Sequence, residues 1–367
     1  MPRLAPCVLA CALAAPAVAG AAYTRPAPTV TTVADGVYLF QSAPYGPVGL
    51  DGNAVAIVTD EGVVMFDSNG TPAAAEAVIA ALRRLTPQPV RYVVNSHWHW
   101  DHWYGTEAYA RAFPGVHVVA HEKTRAMMAG PAIAFNRPGL EEQLPGFIRM
   151  LEGRVAEGRA ASPPPATLAR LEGDLDTARW FLDQKRQARL VLPDITFTDR
   201  LVLHLGGRTI EVRNYGRGVT PGDAVLYLPA ERILVSGDLL IQPLTFALSV
   251  YPTEWLGVLE RLDTLDAAVI VPGHGAPMRD ETHLHATMAV LRELRRLGLE
   301  AKARGLDADQ AREEAVPRMR ALILPLTGGD PAIEQAFGVQ MADWFLHRVY
   351  EEADGPLTDR IAPIPPK

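Results

Sequence analysis

The sequence predicts an α/β fold. Beyond residue 22, the short segments GVYLFQ and GNAVAIVTDEGVVMFDS are apolar or alternating and are bounded by Gly and Asp, as in a strand and a hairpin. The segment TPAAAEAVIAALRRL, beginning at Thr71, has helical spacing of its apolar residues, a Thr cap and a Pro in the first turn. PVRYVVNS then reads as a buried strand that runs directly into a cluster of histidines. This strand–helix–strand order is typical of α/β proteins.

Residues 1–22 have the composition of a signal peptide. Arg3 is followed by a short apolar run and then by small residues, and Ala-Val-Ala at 17–19 fits a signal-peptidase site. Both cysteines, Cys7 and Cys11, lie in this segment, so the mature chain would have no thiol for disulfides or metal binding. We therefore expect a periplasmic or secreted protein whose metals, if any, are held by histidine and carboxylate.

The remaining chain is predicted to form one main domain over residues 23–280 and a helical extension over 281–367 that packs on it. Two helical patterns at about 139–190, separated by SPPP, interrupt the main domain as a helical-hairpin insertion. This insertion is either a packing appendage or a wall over the active site. Further strands are predicted in ITFTDRLVLHLGGRTIEVRNYG, AVLYLPAERILVSGD and AAVIVPGHG, with a short helix at about 253–265 before the last. One apolar stripe marks the second helix of the insertion: Leu168, Leu171, Leu175, Ala178 and Leu182.

The composition favours an enzyme that acts on a small molecule. The 367 residues are 48% hydrophobic and 21% charged, as is ordinary for a globular enzyme. A net charge of −7 gives no basic footprint for nucleic-acid binding. No apolar run is long enough for a transmembrane helix, so we expect no membrane span. The sequence gives no prediction of the oligomeric state.

The segment SHWHWDHWYG, residues 96–105, concentrates potential metal ligands. If it is extended, side chains two residues apart share one face, so His97, His99 and Asp101 point the same way and the intervening tryptophans point the other way. His102 follows where the chain is expected to turn. Imidazole and carboxylate together are typical of zinc or iron sites.

The spacing His-x-His-x-Asp-His at residues 97–102 resembles the signature of the metallo-β-lactamase superfamily. Three later motifs follow in the order of that family: GVTPGD at 218–223, SGD ending at Asp238, and VPGHG containing His274. The resemblance covers about residues 33–280, and the SGD aspartate is similar to that of the glyoxalase-like and lactonase-like branch. It implies an αββα sandwich with metals at one edge, between two sheets.

The resemblance also implies two metal sites that share Asp238. The first would consist of His97, His99 and a histidine of the middle motif, but this sequence has Val219 at that position, and valine cannot bind a metal. We therefore expect one tightly bound zinc ion in the second site and a weak or empty first site, with iron as a possible alternative metal. The second site would consist of Asp101, His102 and His274.

The predicted reaction is hydrolysis of an ester, thioester, lactone or β-lactam by a metal-activated water. Asp101 would orient the water, and His97 or His99 would act as general base. Trp103 is expected to line the pocket mouth and contact substrate. One alternative is a degenerate protein that binds metal or a ligand without turnover. The other is a mononuclear iron oxygenase, against which the valine at 219 argues.

Overall fold

A computed structural model describes residues 23–161 and 164–361, so the predicted signal peptide, residues 1–22, lies outside the described residues. The described chain contains two β-sheets that face each other, with helices against both outer surfaces. This arrangement confirms the predicted αββα sandwich. Among the helices of the described ranges, none has both the length and the apolar character needed to cross a membrane.

The first sheet has seven strands in sequence order. They are β1 (Thr29–Ala34), β2 (Val37–Gln41), β3 (Ala54–Thr59), β4 (Gly62–Phe66), β5 (Val90–Val94), β6 (His117–His121) and β7 (Ile195–Phe197). Strands β1 to β4 pair antiparallel, whereas β4 to β7 pair parallel. The carboxyl ends of β4 and β5 therefore lie side by side at one edge of the sandwich.

The second sheet has five strands. They are β8 (Arg200–Leu205), β9 (Arg208–Arg213), β10 (Val225–Leu228), β11 (Ile233–Ile241) and β12 (Val269–His274). Their spatial order is β12-β11-β10-β9-β8, and only β11 and β12 pair parallel. Buried side chains of both sheets, such as Val64 and Val94 from the first and Leu226 and Val271 from the second, form one core between them.

Helices cover the outer face of the first sheet. They are α1 (Pro72–Leu85) and α3 (Thr106–Ala112), whereas α2 (Trp100–Trp103) and α4 (Glu122–Met128) follow β5 and β6 and pack in a separate cluster. Helix α1 begins as the sequence predicts, because the side chain of Thr71 accepts a hydrogen bond from the Ala74 N–H at 3.2 Å. The buried faces of α1 and α3 pack on β4 and β5.

The helical insertion follows α4. It contains α5 (Pro131–Pro138), a π-helical turn (Gly139–Gln143), α6 (Leu144–Ala161) and α7 (Pro165–Gln187). The predicted apolar stripe of α7 packs against Ile148, Leu151 and Val155 of α6. The two long helices thus form the predicted hairpin around a small core of their own.

The remaining helices are α8 (Pro252–Asp263), α9 (Thr282–Ala303), α10 (Ala308–Thr327), α11 (Pro331–Ala336), a π-helical turn (Phe337–Ala342) and α12 (Asp343–Asp354). They form one hydrophobic cluster with the outer face of the second sheet; Leu234 and Leu291 belong to it. The helices between residues 282 and 354 therefore pack on the sandwich. The exact domain boundaries stay a prediction.

Candidate metal centre

The first sheet contributes four of the predicted ligands, all from the segment after β5. His97 and His99 lie in non-helical chain, and α2 carries Asp101 and His102. Our expectation that the segment is extended through Asp101 is wrong, because the backbone enters a helix at Trp100 and His102 N–H donates to His99 O at 3.1 Å. The turn of helix directs the second pair of ligands away from the first pair.

The second sheet contributes Asp238, within β11, and His274, at the end of the adjacent parallel strand. Two glycines allow the segments that carry Asp238 and His274 to pack closely against their neighbours. Gly237 has a φ of +53°, and a Cβ there would lie 2.9 Å from the Cβ of Ser96. A Cβ on Gly273 would overlap the Oδ1 atom of Asp238. The glycines of the SGD and PGH motifs thus make room for the aspartate and for the histidine segment.

The two carboxylate oxygens of Asp238 face different histidines. Oδ2 lies 3.4 Å from Nε2 of His97 and 3.9 Å from Nδ1 of His99. Oδ1 lies 3.2 Å from Nε2 of His102 and 3.5 Å from Nε2 of His274. Asp238 therefore occupies the position between two groups that a bridging carboxylate requires.

Asp101 completes the second group. Its Oδ2 atom lies 3.1 Å from Nε2 of His274 and 3.4 Å from Nε2 of His102. In each group the three ligand atoms lie within 4.8 Å of one another. The structure thus brings together the six residues that the sequence singled out, as two triads: His97, His99 and Asp238, and Asp101, His102 and His274.

Several polar atoms of the two triads have no hydrogen-bond partner within the described ranges. They are Nε2 of His97, of His99 and of His102, and Oδ1 of Asp238, and all are buried. Buried polar atoms without partners are costly and are rare in native proteins. Nε2 of His97 and of His102 lies 3.4 and 3.2 Å from the Asp238 carboxylate, and imidazole nitrogens beside a carboxylate fit a divalent cation of the zinc type.

The charges of the site also fit a cation. Burial would raise the pKa of Asp238, but His102 and His274 hold it well below its usual value. Burial would lower the pKa of His102, but Asp238 and Asp101 raise it well above its usual value. Burial and the neighbouring His102 lower the pKa of His97 to about 3, so His97 is neutral and its Nε2 lone pair is free. Without a metal, protons on His102 and His274 balance the carboxylates, and a divalent cation would replace them.

One residue that sequence reasoning missed, Asp67, orients a histidine of each triad. It follows β4, and its Oδ2 accepts hydrogen bonds from Nδ1 of His102 at 2.7 Å and from Oγ of Ser96 at 2.8 Å. Because that hydroxyl donates to Asp67, it accepts from Nδ1 of His97 at 2.8 Å. Both histidines therefore carry a proton on Nδ1, which directs Nε2 to the site. The available signal was an aspartate directly after a strand that neighbours the histidine-bearing one.

Val219 has an apolar side chain, and the residues around it are also apolar. It is buried in a hydrophobic cluster with Trp255. Asp223 closes the same loop by accepting hydrogen bonds from the N–H and hydroxyl of Thr220, at 2.9 and 2.7 Å. The side chain of Asn214, which also carries an oxygen donor, donates to Asp223 O at 2.8 Å and accepts from the Gly216 N–H at 3.0 Å. Both side chains are engaged in the loop and do not replace the missing histidine.

The expectation for Trp103 is wrong. Its side chain is fully buried and donates its indole N–H to Trp98 O at 2.9 Å, so it does not reach a pocket mouth. Helix α2 turns Trp100 outward instead, and the ring of Trp100 lines a cavity next to the metal centre. The difference follows from the helical geometry, which the assumption of an extended segment did not include.

A model of the metallo-beta-lactamase superfamily matches residues 47–274, more than half of the chain. The chain therefore belongs to that superfamily, whose fold is hydrolase-like and whose candidate metal-binding residues are those described above.

Among individual proteins, the chain is similar to a linear primary-alkylsulfatase of Pseudomonas sp. (strain ATCC 19151), with 21% identity over 294 residues. The match covers 77% of this chain and 52% of the relative, so the chain spans about half the length of that protein. Among solved structures, a double mutant of the sec-alkyl sulfatase PisA1 matches with a TM-score of 0.57 and 18% identity, over 92% of this chain and 52% of the other. A metallo-beta-lactamase from Pontibacter korlensis matches with a TM-score of 0.50 and 23% identity, over 72% and 99%. These structural similarities concern the fold.

Proposed function

We propose that the protein is a metal-dependent hydrolase that directs an activated water at an ester-type bond. The observation that carries the proposal is the division of the Asp238 carboxylate between two sets of imidazoles, in which Nε2 of His97, His99 and His102 lacks a hydrogen-bond partner among the described residues. Such an arrangement is costly in a purely structural role and is well suited to hold a cation.

Asp101, His102, His274 and Asp238 would hold the tighter ion, and His97 and His99 with Asp238 the weaker one. A bound divalent ion supplies Lewis acidity, which polarises the scissile group and lowers the pKa of water. We propose zinc, with about one ion held tightly per chain because Val219 removes a ligand from the first triad.

The chain's own residues orient the water and the ligands. Burial would raise the pKa of Asp101, but His102 and His274 hold it well below its usual value, so its carboxylate is ionised. An ionised Asp101 accepts a hydrogen bond from the attacking water and aligns it. Asp67 and Ser96 hold a proton on Nδ1 of His102 and of His97, so Nε2 is the nitrogen of each ring that would bind a metal.

For the substrate we propose an ester, thioester, lactone or β-lactam, with a sulfate ester of an alcohol as a second candidate. The sulfate ester is favoured by two relatives named as alkylsulfatases. The sulfatase structure matches 92% of this chain, whereas the metallo-beta-lactamase from Pontibacter korlensis matches 72%.

We also propose that the protein is exported, on the composition of residues 1–22. N-terminal sequencing of protein isolated from the periplasm or medium tests this. A mature chain that begins near residue 20 supports export, and an intact Met1 in the cytoplasm contradicts it.

The hydrolase proposal is tested first by elemental analysis of protein purified without added metal, followed by assays with each substrate class. Chelation is expected to abolish turnover and zinc to restore it. Asp238→Asn should lose both metal and activity. Asp263→Asn is the matched control, because Asp263 belongs to a partly exposed His/carboxylate group on the surface, and it should change neither. Iron with oxygen-dependent turnover, or a metal-free chain without turnover, would contradict the proposal.

A further inference from the structure

A cavity of about 540 Å³ lies between the helical insertion and the tryptophan-bearing helix α2. Its volume is in the range of small-molecule sites, and its walls are mainly apolar and aromatic, including Trp100, Phe147 and Phe181. The π-helical turn Gly139–Gln143 forms part of the wall, and such turns often occur at functional sites. None of the residues of the two triads lines this cavity in the described part of the chain.

Lys185 of α7 is half-buried in the cavity wall, and its Nζ atom is fully buried. Its Nζ atom has no hydrogen-bond partner among the residues that the structure describes. The amine lies 3.6 Å from the ring centroid of Tyr104 and 3.9 Å from that of Trp100. Desolvation by burial holds the pKa of Lys185 well below its usual value, although Asp101 and Asp51 act in the opposite direction. Burying an amine without a hydrogen-bond partner costs free energy, and a ligand that supplies an acceptor would offset this cost.

The polar groups of the cavity are unevenly distributed. Exposed side chains of Arg137, Glu141 and Gln143 lie where the cavity meets solvent, whereas Lys185 Nζ is buried against the aromatic rings. An occupant with an apolar body would displace water from the walls. An anionic group on it would keep a proton on Lys185 and accept charge-assisted hydrogen bonds, with the rings stabilising the cation.

We propose that this cavity binds an amphiphile whose apolar chain packs on Trp100, Phe147 and Phe181 and whose anionic group, a carboxylate or a sulfate, pairs with Lys185. This is a second site, beyond the proposed hydrolase centre. Trp100 lines the cavity, whereas the neighbouring ligands Asp101 and His102 do not. Binding does not require that the occupant be hydrolysed.

The test is calorimetric titration of the full protein, as purified, with dodecanoate and, as an uncharged probe, dodecan-1-ol. Dodecanoate is expected to bind more tightly than the alcohol. Lys185→Met should weaken dodecanoate binding by about ten- to a hundredfold and leave the alcohol nearly unchanged, because the lost hydrogen bonds are charge-assisted. Lys302→Met is the matched control: Lys302 also lies over an aromatic ring, 4.8 Å from the centroid of Tyr350, but it pairs with Asp354 outside the cavity.

Two further variants locate the occupant. Leu140→Trp, on the cavity wall, should abolish binding of both probes. Asp238→Asn removes a metal ligand and should leave dodecanoate binding intact, so this result is independent of the hydrolase proposal. Equal binding of both probes with no effect of Lys185→Met would overturn the proposal, as would binding by Leu140→Trp at wild-type affinity. Loss of dodecanoate binding in Asp238→Asn with full binding in Lys185→Met would place the probe on the metal and also overturn it.

Discussion

The carboxylate of Asp67 accepts a hydrogen bond from Nδ1 of His102 at 2.7 Å, and through the hydroxyl of Ser96 it also sets the tautomer of His97. One buried side chain at the end of β4 thus orients a histidine in each triad. Such outer-sphere carboxylates determine which nitrogen is free to bind a metal.

Replacing Asp67 should weaken metal binding without touching a ligand. We expect Asp67→Asn to reduce metal affinity by about 10- to 100-fold, since the amide is a weaker acceptor for the His102 proton and for the Ser96 hydroxyl that in turn accepts the His97 proton. Metal competition with a chromophoric chelator measures this. Asp194→Asn is the control, because Asp194 forms a similar pair with His117 at 2.8 Å on the exposed surface. Equal affinities in the two variants would show that the network does not support the site.

Metal affinity should rise with pH. The carboxylates of Asp238 and Asp101 overcome burial and raise the pKa of both His102 and His274, so a metal must displace their protons. Metal affinity is therefore weak at pH values below the raised pKa values. It increases by about tenfold per pH unit for each displaced proton until the pH exceeds those pKa values. Conversely, the stability that these histidines give the metal-free chain is fully present below their usual pKa and is lost as pH rises through the raised one. Chelator competition across about pH 6 to 9 measures the first effect; a flat profile would contradict it.

Restoring a histidine at position 219 should strengthen the first triad. Val219→His is expected to raise the bound zinc from about one to about two ions per chain. The imidazole enters an apolar cluster, so the metal-free variant should lose about 1–3 kcal/mol of stability. Elemental analysis and denaturant unfolding measure the two effects, and Val219→Leu is the control that adds bulk without a ligand. A folded Val219→His chain with unchanged metal content would show that residue 219 does not face the first triad.

Substitutions in the two triads should have different effects on metal content. His274→Ala is expected to eliminate the tightly bound ion, whereas His97→Ala should retain it and still impair turnover. His285→Ala, in an exposed group on the protein surface, controls for the general effect of losing an imidazole. Metal content and turnover are compared across the three variants. Loss of the tight ion in His97→Ala would contradict the division of ligands between the triads.

Gly273 should tolerate no side chain. In Gly273→Ala the new Cβ would overlap Asp238 Oδ1 and lie 2.7 Å from the carbonyl carbon of Gly237, so we expect loss of metal binding and of about 1–3 kcal/mol of stability. Gly257→Ala, within α8 and with nothing within 4 Å of its Cβ position, should instead gain about 0.5–1 kcal/mol. Thermal unfolding and metal titration distinguish the two. A Gly273→Ala chain with normal metal binding would refute the close packing described here.

Sequence patterns were most informative where local chemistry decides structure. The cap at Thr71, the apolar stripe of α7 and the αββα sandwich are all found as predicted. The assignment of ligands to two groups also agrees with the geometry, although metal binding itself stays a prediction. These successes share a cause, because capping, periodicity and motif spacing are properties of neighbouring residues.

The errors arose where backbone conformation changes within a few residues. The residue pattern predicts an extended segment through Asp101, but α2 begins at Trp100, which buries Trp103 and turns Trp100 toward the cavity. Periodicity cannot distinguish four residues of helix from a turn, since so short a helix is stabilised by its surroundings and not by its own propensity.

The sequence by itself determined the chemistry of this protein: which side chains are able to bind a metal, that cysteine takes no part after residue 22, and that Val219 leaves one triad short of a ligand. Only the tertiary structure decided how those groups act together. It placed Asp67 behind both triads, divided the oxygens of Asp238 between them, and buried the Nζ atom of Lys185 against aromatic rings from a distant segment. The reason is physical: ligand identity belongs to each residue, whereas burial, tautomer and charge balance arise from contacts between segments far apart in the chain.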